Sequence, residues 1–334
     1  MGSGNILEIR DLHTSFFTDS GVVHAVNGVD LDVPKGKITG LVGESGCGKS
    51  ITAKSVMGLV RYPGRIESGS IRLDGQELTG LKEKELRKLC GKEVSMIFQE
   101  PMTSLNPVLK VGRQVAEALR VHRGITSKSE EKQEVIRIFE KVGIPEPEQR
   151  FTAYPHELSG GLRQRVMIAM AMIMNPKLLI ADEPTTALDV TVEAQILRLM
   201  KKLCESGTSI LLISHNLGVI AQVCDYVYVM YAGRIVEQAD TFALFDHPVH
   251  PYTRGLLSAA MSLRSGAQVL DTIPGVVPNL LHLPEGCSFS PRCTQCSEKC
   301  REKMPDMISA GEEGHQVRCF ISEGASAVVK GNNL

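Results

Sequence analysis

The chain has 334 residues, with 37 basic and 38 acidic side chains, a formal charge of −1, 43% hydrophobic and 22% charged residues. These totals describe a globular chain that can bury a sizeable core and is long enough for two domains. They give no basic footprint for nucleic acid.

Aromatic residues are scarce and tryptophan is absent, which argues against a stacking platform for single-stranded nucleic acid. The longest apolar run, residues 166–174, falls short of the ~20 residues that span a bilayer. The N-terminus lacks a charged stretch followed by an apolar one, so no secretory signal is expected. A membrane role would require the membrane part to come from other chains.

In chain order, residues 6–17 and 22–33 read as a pair of antiparallel strands. Short apolar runs at 38–42, 94–97, 178–181, 210–213 and 226–230 read as further strands. Between them, residues 131–142 and 192–203 carry the 3.6-residue apolar spacing of amphipathic helices. Strands alternating with helices predict an α/β core with a largely parallel sheet. Past residue 239 the character changes, because Pro248, Pro251, Pro274, Pro278, Pro284, Pro291 and Pro305 interrupt any long periodic element. The reading is therefore one domain over residues 1–240 and a small, loop-rich one over 241–334.

The run at 38–42 leads into Gly43-Glu44-Ser45-Gly46-Cys47-Gly48-Lys49-Ser50, a complete P-loop pattern. Gly43, Ser45, Gly46, Cys47 and Gly48 are expected to wrap their backbone N–H groups around a polyphosphate. The helix opening at Ser50 and Ile51 adds its positive end. Lys49 is expected to reach the β- and γ-phosphates, and the Ser50 hydroxyl to ligate Mg²⁺. A second requirement is a carboxylate for the metal and a group to place water. Residues 177–181 end in Asp182 and Glu183. Asp182 suits the Mg²⁺ shell and Glu183 the polarisation of the attacking water. Two acids after a strand are, taken alone, an ordinary solvated loop; the P-loop gives them a function.

Leu158-Ser159-Gly160-Gly161-Leu162-Arg163-Gln164-Arg165 opens the apolar helical run from Val166. Ser159 is placed to cap that helix, and the glycine pair lets its N–H groups approach an anion. This segment resembles the LSGG signature of ABC ATPases. The resemblance implies a P-loop NTPase fold of the ABC type: a RecA-like core, an antiparallel β subdomain and a helical signature subdomain. It also implies that Ser159, Gly160 and Gly161 contact ATP held by an opposite subunit. Further family motifs stand in order. Gln99 matches the Q-loop residue that touches Mg²⁺ and faces the membrane subunit. Ala187-Leu188-Asp189 matches the D-loop, which crosses the dimer interface. His215 matches the switch histidine at the γ-phosphate, and Phe16 lies where the family stacks an aromatic ring on adenine. The resemblance makes Lys49, Glu183 and His215 the catalytic set. Leu162 departs from the glutamine common in the family but leaves the serine and glycine contacts intact.

The C-terminal part narrows the likeness. His250-Pro251-Tyr252-Thr253, Gly286-Cys287-Ser288-Phe289-Ser290-Pro291-Arg292-Cys293 and Val317-Arg318-Cys319 resemble the extension of oligopeptide and dipeptide permease ATPases. Glu100-Pro101-Met102-Thr103-Ser104-Leu105-Asn106-Pro107 agrees with it. The resemblance implies a peptide importer, with nickel or nickel chelates as the alternative cargo. The implied assembly has a second ABC ATPase subunit of a different chain, two transmembrane permease subunits and, indirectly, an extracytoplasmic peptide-binding protein. It sits peripherally on the cytoplasmic face of the cell membrane. A soluble ABC ATPase acting on nucleic acid or ribosomes is the rival reading, against which stand the charge balance and the His-Pro-Tyr-Thr segment.

Nine cysteines are present, five of them beyond Gly286. Clustered thiols of odd number without a secretion signal favour metal chemistry over disulfides. Cys287, Cys293, Cys300 and Cys319 fall at the family's positions, whereas Cys296 does not. The resemblance implies a 4Fe–4S cluster on these four; tetrahedral Zn²⁺ is the alternative, and free thiols or disulfides remain open. His315 reads as a neutral surface histidine or a substitute ligand. Cys47, beside Lys49 and the loop amides, reads as a thiol with a lowered pKa but no regulatory role.

Overall fold

The computed structural model describes residues 4–99, 104–186, 188–265, 273–311 and 313–320. The chain opens with β1 (Asn5–Thr18), β2 (Gly21–Pro34) and β3 (Ile38–Val42), followed by α1 (Lys49–Val56), β4 (Gly64–Leu73) and β5 (Gln76–Glu77). Next come α2 (Glu83–Leu89), β6 (Val94–Ile97), α3 (Val111–Val115), α4 (Glu117–Arg123), α5 (Lys128–Lys141) and α6 (Pro147–Arg150). Then follow α7 (Gly160–Met172), β7 (Leu178–Asp182), α8 (Val190–Glu205), β8 (Ser209–Ser214) and α9 (Leu217–Val223). The chain continues through β9 (Tyr226–Tyr231), β10 (Arg234–Asp240), α10 (Thr241–Asp246), α11 (Pro251–Ser265), α12 (Glu298–Glu302), β11 (Ile308–Ser309) and β12 (Gln316–Val317).

These elements form two compact units. The first takes residues up to Leu7, Val33–Ile38 and Asp74–Ile213. Its heart is β6, β7 and β8 in parallel, Val94 opposite Leu178 and Leu178 opposite Ser209. Every residue of these three strands is buried. A strand covered on both faces reads as a continuous apolar run, and that is why these three were visible in the sequence. Helices pack around them by their apolar stripes. In α8, Ile196, Leu197, Met200 and Leu203 are buried on one face, and Asp189 caps the start by accepting from Val192 N–H at 2.9 Å. In α5, Ser127 is the cap and Val135, Ile138 and Phe139 the buried face.

The second unit takes Glu8–Asp32, Thr39–Leu73 and residues from Ser214 onward. Here β3 runs parallel to β9, with Thr39 opposite Tyr226 and Val42 opposite Val229. The sheet then continues antiparallel through β10 and β12 to β11. A second, antiparallel sheet has the order β2-β1-β4, fed by the hairpin that the alternation at 6–17 and 22–33 predicted. The two-residue strands β11 and β12 were not foreseen: two residues carry no readable period.

The prolines past residue 239 do not break all long elements, contrary to the expectation. α11 has 15 residues. Pro251 is its first residue, where the missing N–H has no helical partner to lose and the fixed φ already suits a helix.

Candidate nucleotide site and C-terminal cavity

The P-loop belongs to the second unit and lies between β3 and α1. Its start and its turn into the helix need glycine for two separate reasons. Gly43 has φ 155°, and a Cβ there would stand 2.1 Å from Met230 O. Gly48 has φ 109°, and its Cβ would meet Ala25 O at 2.3 Å. Both are left-handed positions pressed against neighbouring backbone, so no side chain fits. Ser45 and Gly46 are exposed at the tip, whereas Cys47, Gly48 and Lys49 are buried. The Lys49 ammonium donates to Gly43 O at 2.7 Å and Glu44 O at 2.9 Å. A buried cation held by the loop's own carbonyls is fixed at the mouth of the cradle. Ser50 and Ile51 follow in the first turn of α1 and are half-buried.

Cys47 corrects the expectation of a lowered thiol pKa. Its side chain has no exposed surface, and burial raises the pKa above the ordinary value despite the opposing pull of Lys49.

In the same unit, the half-buried Phe16 ring packs against the Gly64 backbone, where a Cβ would lie 2.6 Å from the ring. His215 is exposed just after β8. The turn around it is built by Asn216, whose N–H donates to Ser214 Oγ at 3.0 Å and whose Oδ1 accepts from Gly218 N–H at 2.9 Å.

The remaining predicted residues lie in the first unit. Asp182 closes β7 and is buried, and Glu183 follows with φ 49°, left-handed for a residue with a side chain. Its carboxylate oxygen Oε2 accepts from Gln99 Nε2 at 2.9 Å and from Thr186 Oγ1 at 3.0 Å. The structure thus brings the Q-loop glutamine and the proposed water-polarising acid together. Ser159 caps α7, its hydroxyl accepting from Leu162 N–H at 3.4 Å, as its place in the sequence predicted. Ser159 and Gly160 are exposed. Asp189, expected at a dimer interface, is exposed and caps α8. Ala187 and residues 100–103 of the family segments lie outside the described residues.

In the C-terminal part, Cys287, Cys293, Cys300 and Cys319 line one small cavity together with His250 and Phe289. Cys296 is not among its lining residues. Burial pushes the Cys287 thiol up to about 11, with the three other cysteines adding to the rise. The donor set fits a tetrathiolate site in kind. As placed, however, no group of three or more histidine, cysteine or acidic side chains among the described residues is arranged to hold a metal ion. None of the nine cysteines forms a disulfide.

Three residues were misjudged or missed. His315 is no surface residue: it is 2% exposed, and its Nε2–H donates to the fully buried Glu237 at 2.8 Å. Glu237 also accepts from Val249 N–H at 2.7 Å and His250 N–H at 3.0 Å. Arg292 carried no sequence signal beyond its family motif; its partner is Glu44. Only the low probability of burying a charge alone could have hinted at such pairings.

A phosphate cradle after a strand, a carboxylate pair at the end of a parallel strand and an exposed, serine-capped glycine pair define an ATP-binding cassette ATPase. The comparisons agree. The ABC transporter family matches residues 26–186, and the family "Oligopeptide/dipeptide transporter, C-terminal region" matches residues 236–300. The oligopeptide transport ATP-binding protein AppD of Bacillus subtilis is 50% identical over 324 residues, covering 96% of this chain and 98% of that one. OppD of Salmonella typhimurium is 51% identical over 317 residues, covering 94% and 93%. Among solved structures, the dimeric post-hydrolysis state of the ATP-binding cassette MJ0796 bound to ADP and phosphate superposes with a TM-score of 0.64. It is 25% identical and covers 70% of this chain and 98% of that one. The chain belongs to the family of ABC transporter ATP-binding proteins with the oligopeptide/dipeptide C-terminal region, and it is an ATPase.

Proposed function

We propose that the chain drives import of oligopeptides or dipeptides, as one of two nucleotide-binding subunits beneath a pair of transmembrane permease subunits. In this reading residues 1–240 are the nucleotide-binding domain and 241–334 the extension. Phe16 stacks on adenine, and the loop from Gly43 to Ser50 holds the phosphates. Ser50 ligates Mg²⁺ in its unit; in the other unit Asp182 and Gln99 are taken as Mg²⁺ residues and Glu183 as the group that polarises the attacking water. His215 contacts the γ-phosphate, so the site senses whether that group is present. Ser159, Gly160 and Gly161 complete the phosphate pocket of a second, different ATPase chain, and Asp189 lies along their common interface.

The observation that carries this reading is the exposure of Ser159 and Gly160 at the start of α7, where the helix end is open to another chain's anion. The chain works peripherally on the cytoplasmic face of the cell membrane. Among the described residues no helix is long and apolar enough to cross a membrane. An extracytoplasmic peptide-binding protein delivers cargo without touching this chain, and nucleic acid is not a partner. The test is ATP-driven uptake of a labelled dipeptide or oligopeptide by the complete transporter in vesicles. Ser159→Arg is expected to keep nucleotide binding and lose hydrolysis and uptake by about 10²-fold. Hydrolysis at the original rate in that variant removes the trans contact. Uptake of nickel chelates in place of peptides overturns the cargo.

Cys287, Cys293, Cys300 and Cys319 hold a 4Fe–4S cluster in this reading, supported by their shared cavity and their all-thiol chemistry. Such a cluster cross-links a region poor in core residues. Anaerobically purified protein should absorb near about 400 nm and contain iron. A colourless protein with one zinc per chain replaces the cluster by Zn²⁺, and a metal-free, folded protein ends the proposal.

A further inference from the structure

Every polar group of Glu44, the second residue of the P-loop, is engaged. Its carbonyl accepts from Lys49 Nζ. Its N–H donates to Tyr252 Oη at 2.8 Å. Its carboxylate accepts from Arg292 Nη1 at 2.6 Å and Nη2 at 3.1 Å. The last two partners come from α11 and from the loop before α12, both in the region matched by the oligopeptide/dipeptide C-terminal family.

Arg292 is itself held from all sides. Nε donates to Pro274 O at 2.9 Å, Nη2 to Ile273 O at 3.3 Å and Nη1 to Tyr231 Oη at 3.5 Å. Its side chain is 3% exposed. The guanidinium lies 5.9 Å from the centres of both the Tyr231 and Phe289 rings. Tyr231 meets Phe289 edge to face at 5.2 Å between centroids, and Tyr252 lies tilted against the two rings at 4.6 and 5.5 Å. A fork fixed this firmly is not a surface ion pair that comes and goes; it is a bidentate grip on one residue of the phosphate cradle.

The charge matters as much as the grip. Glu44 adds a carboxylate to the loop read as the triphosphate cradle, and left uncompensated that charge would oppose the binding of an anion. We propose that Arg292 and Tyr252 are positioning residues for the nucleotide: through Glu44 the C-terminal region clamps the P-loop and cancels a negative charge at its rim. This rests on the reading of residues 43–50 as the triphosphate cradle. Arg292 holds the carboxylate down and compensates its charge. Tyr252 holds the peptide unit whose residue supplies a carbonyl to Lys49.

The test is equilibrium binding of a fluorescent ATP analogue with Mg²⁺ to the full chain, at two ionic strengths, beside circular dichroism. Arg292→Met is expected to raise the Kd by about tenfold, more at low salt, because the freed carboxylate is exposed to screening. The double variant Arg292→Met with Glu44→Gln is expected to recover most of the affinity, since no bare charge remains. A residue needed only for folding would give no such rescue and no salt dependence. Should Arg292→Met fail to fold, Arg292→Lys, which keeps the charge but loses the fork, is expected to weaken binding by about threefold. Wild-type affinity in whichever arginine variant folds overturns the clamp, as does a double variant no better than the single one. Failure of the wild type to bind the analogue sinks the nucleotide-site reading itself.

Discussion

Gln99 and Glu183 stand 84 residues apart in sequence, yet Gln99 Nε2 donates to Glu183 Oε2 at 2.9 Å. Thr186 Oγ1 reaches the same oxygen at 3.0 Å, and the Glu183 N–H donates to Ile213 O at 2.9 Å. The left-handed backbone of Glu183 costs on the order of 1–3 kcal/mol, and these bonds hold it in place. A carboxylate fixed by two donors suits the water-positioning role proposed for it. Glu183→Gln can still accept from Gln99 but cannot take a proton. We expect it to bind ATP within a few-fold of the wild type and to lose turnover by at least about 10²-fold in a phosphate-release assay. Turnover near the original value would take Glu183 out of the mechanism.

Removing the other partner has a different signature. Gln99→Ala frees one side of the carboxylate without removing it. The expected result is a fall in kcat of about tenfold with a smaller change in the KM for ATP, because orientation is lost and binding is not. A rise in KM with kcat unchanged would assign Gln99 to nucleotide binding alone.

The buried pair Glu237–His315 ties the residue before β12 to β10. Glu237 has no exposed surface, and with His315 gone it would keep only the backbone donors of Val249 and His250. Breaking a buried pair on one side leaves a charge in a medium that solvates it badly. His315→Ala should therefore lower unfolding stability by about 3–5 kcal/mol in a denaturant titration, read from the midpoint at constant slope. Loss below about 1 kcal/mol would show that the site admits water.

His250 sets a pH dependence of definite sign. Full burial lowers its pKa from 6.5 to about 4, against the opposing pull of Glu237. Its Nδ1 accepts from Tyr252 N–H at 3.0 Å, which requires that nitrogen to be unprotonated. The unfolded chain therefore binds this proton more readily than the folded one. Stability from this group is complete above pH 6.5, falls as the pH drops and is lost by about pH 4. The slope attributable to it is at most about 1.4 kcal/mol per pH unit. His250→Asn should flatten the difference curve over that window, and an unchanged slope would show that other groups set it.

The legible and the illegible parts of this chain differ in a physical way. β6, β7 and β8 were readable because strands buried on both faces are apolar throughout. The P-loop was readable because its glycines are demanded by contacts within a few residues of the motif and by two fixed backbone neighbours, Ala25 and Met230. Arg292 and Glu44 are separated by 248 positions, and neither local period nor spacing connects them. His315 looked like a surface residue because its partner Glu237 is 78 positions away. The resemblance to the permease ATPases groups the four C-terminal cysteines, and the cavity they share adds the spatial fact that spacing could not supply.

Cys47 illustrates how burial outweighs a nearby cation. Lys49 Nζ lies 3.7 Å from its sulfur, which favours the thiolate, but the thiol has no exposed surface and desolvation is the larger effect. The result is a raised pKa, so at neutral pH the thiolate is scarce and reagents cannot reach it. Native protein treated with iodoacetamide at pH 7.5 and digested for mass spectrometry should carry no label on Cys47, while urea-unfolded protein should carry it fully. Cys47→Ala should leave nucleotide affinity within about threefold, since the loop uses the backbone of this residue and the smaller side chain introduces no clash. Rapid native labelling that ATP suppresses would reverse the conclusion, making Cys47 an accessible, activated thiol inside the phosphate cradle.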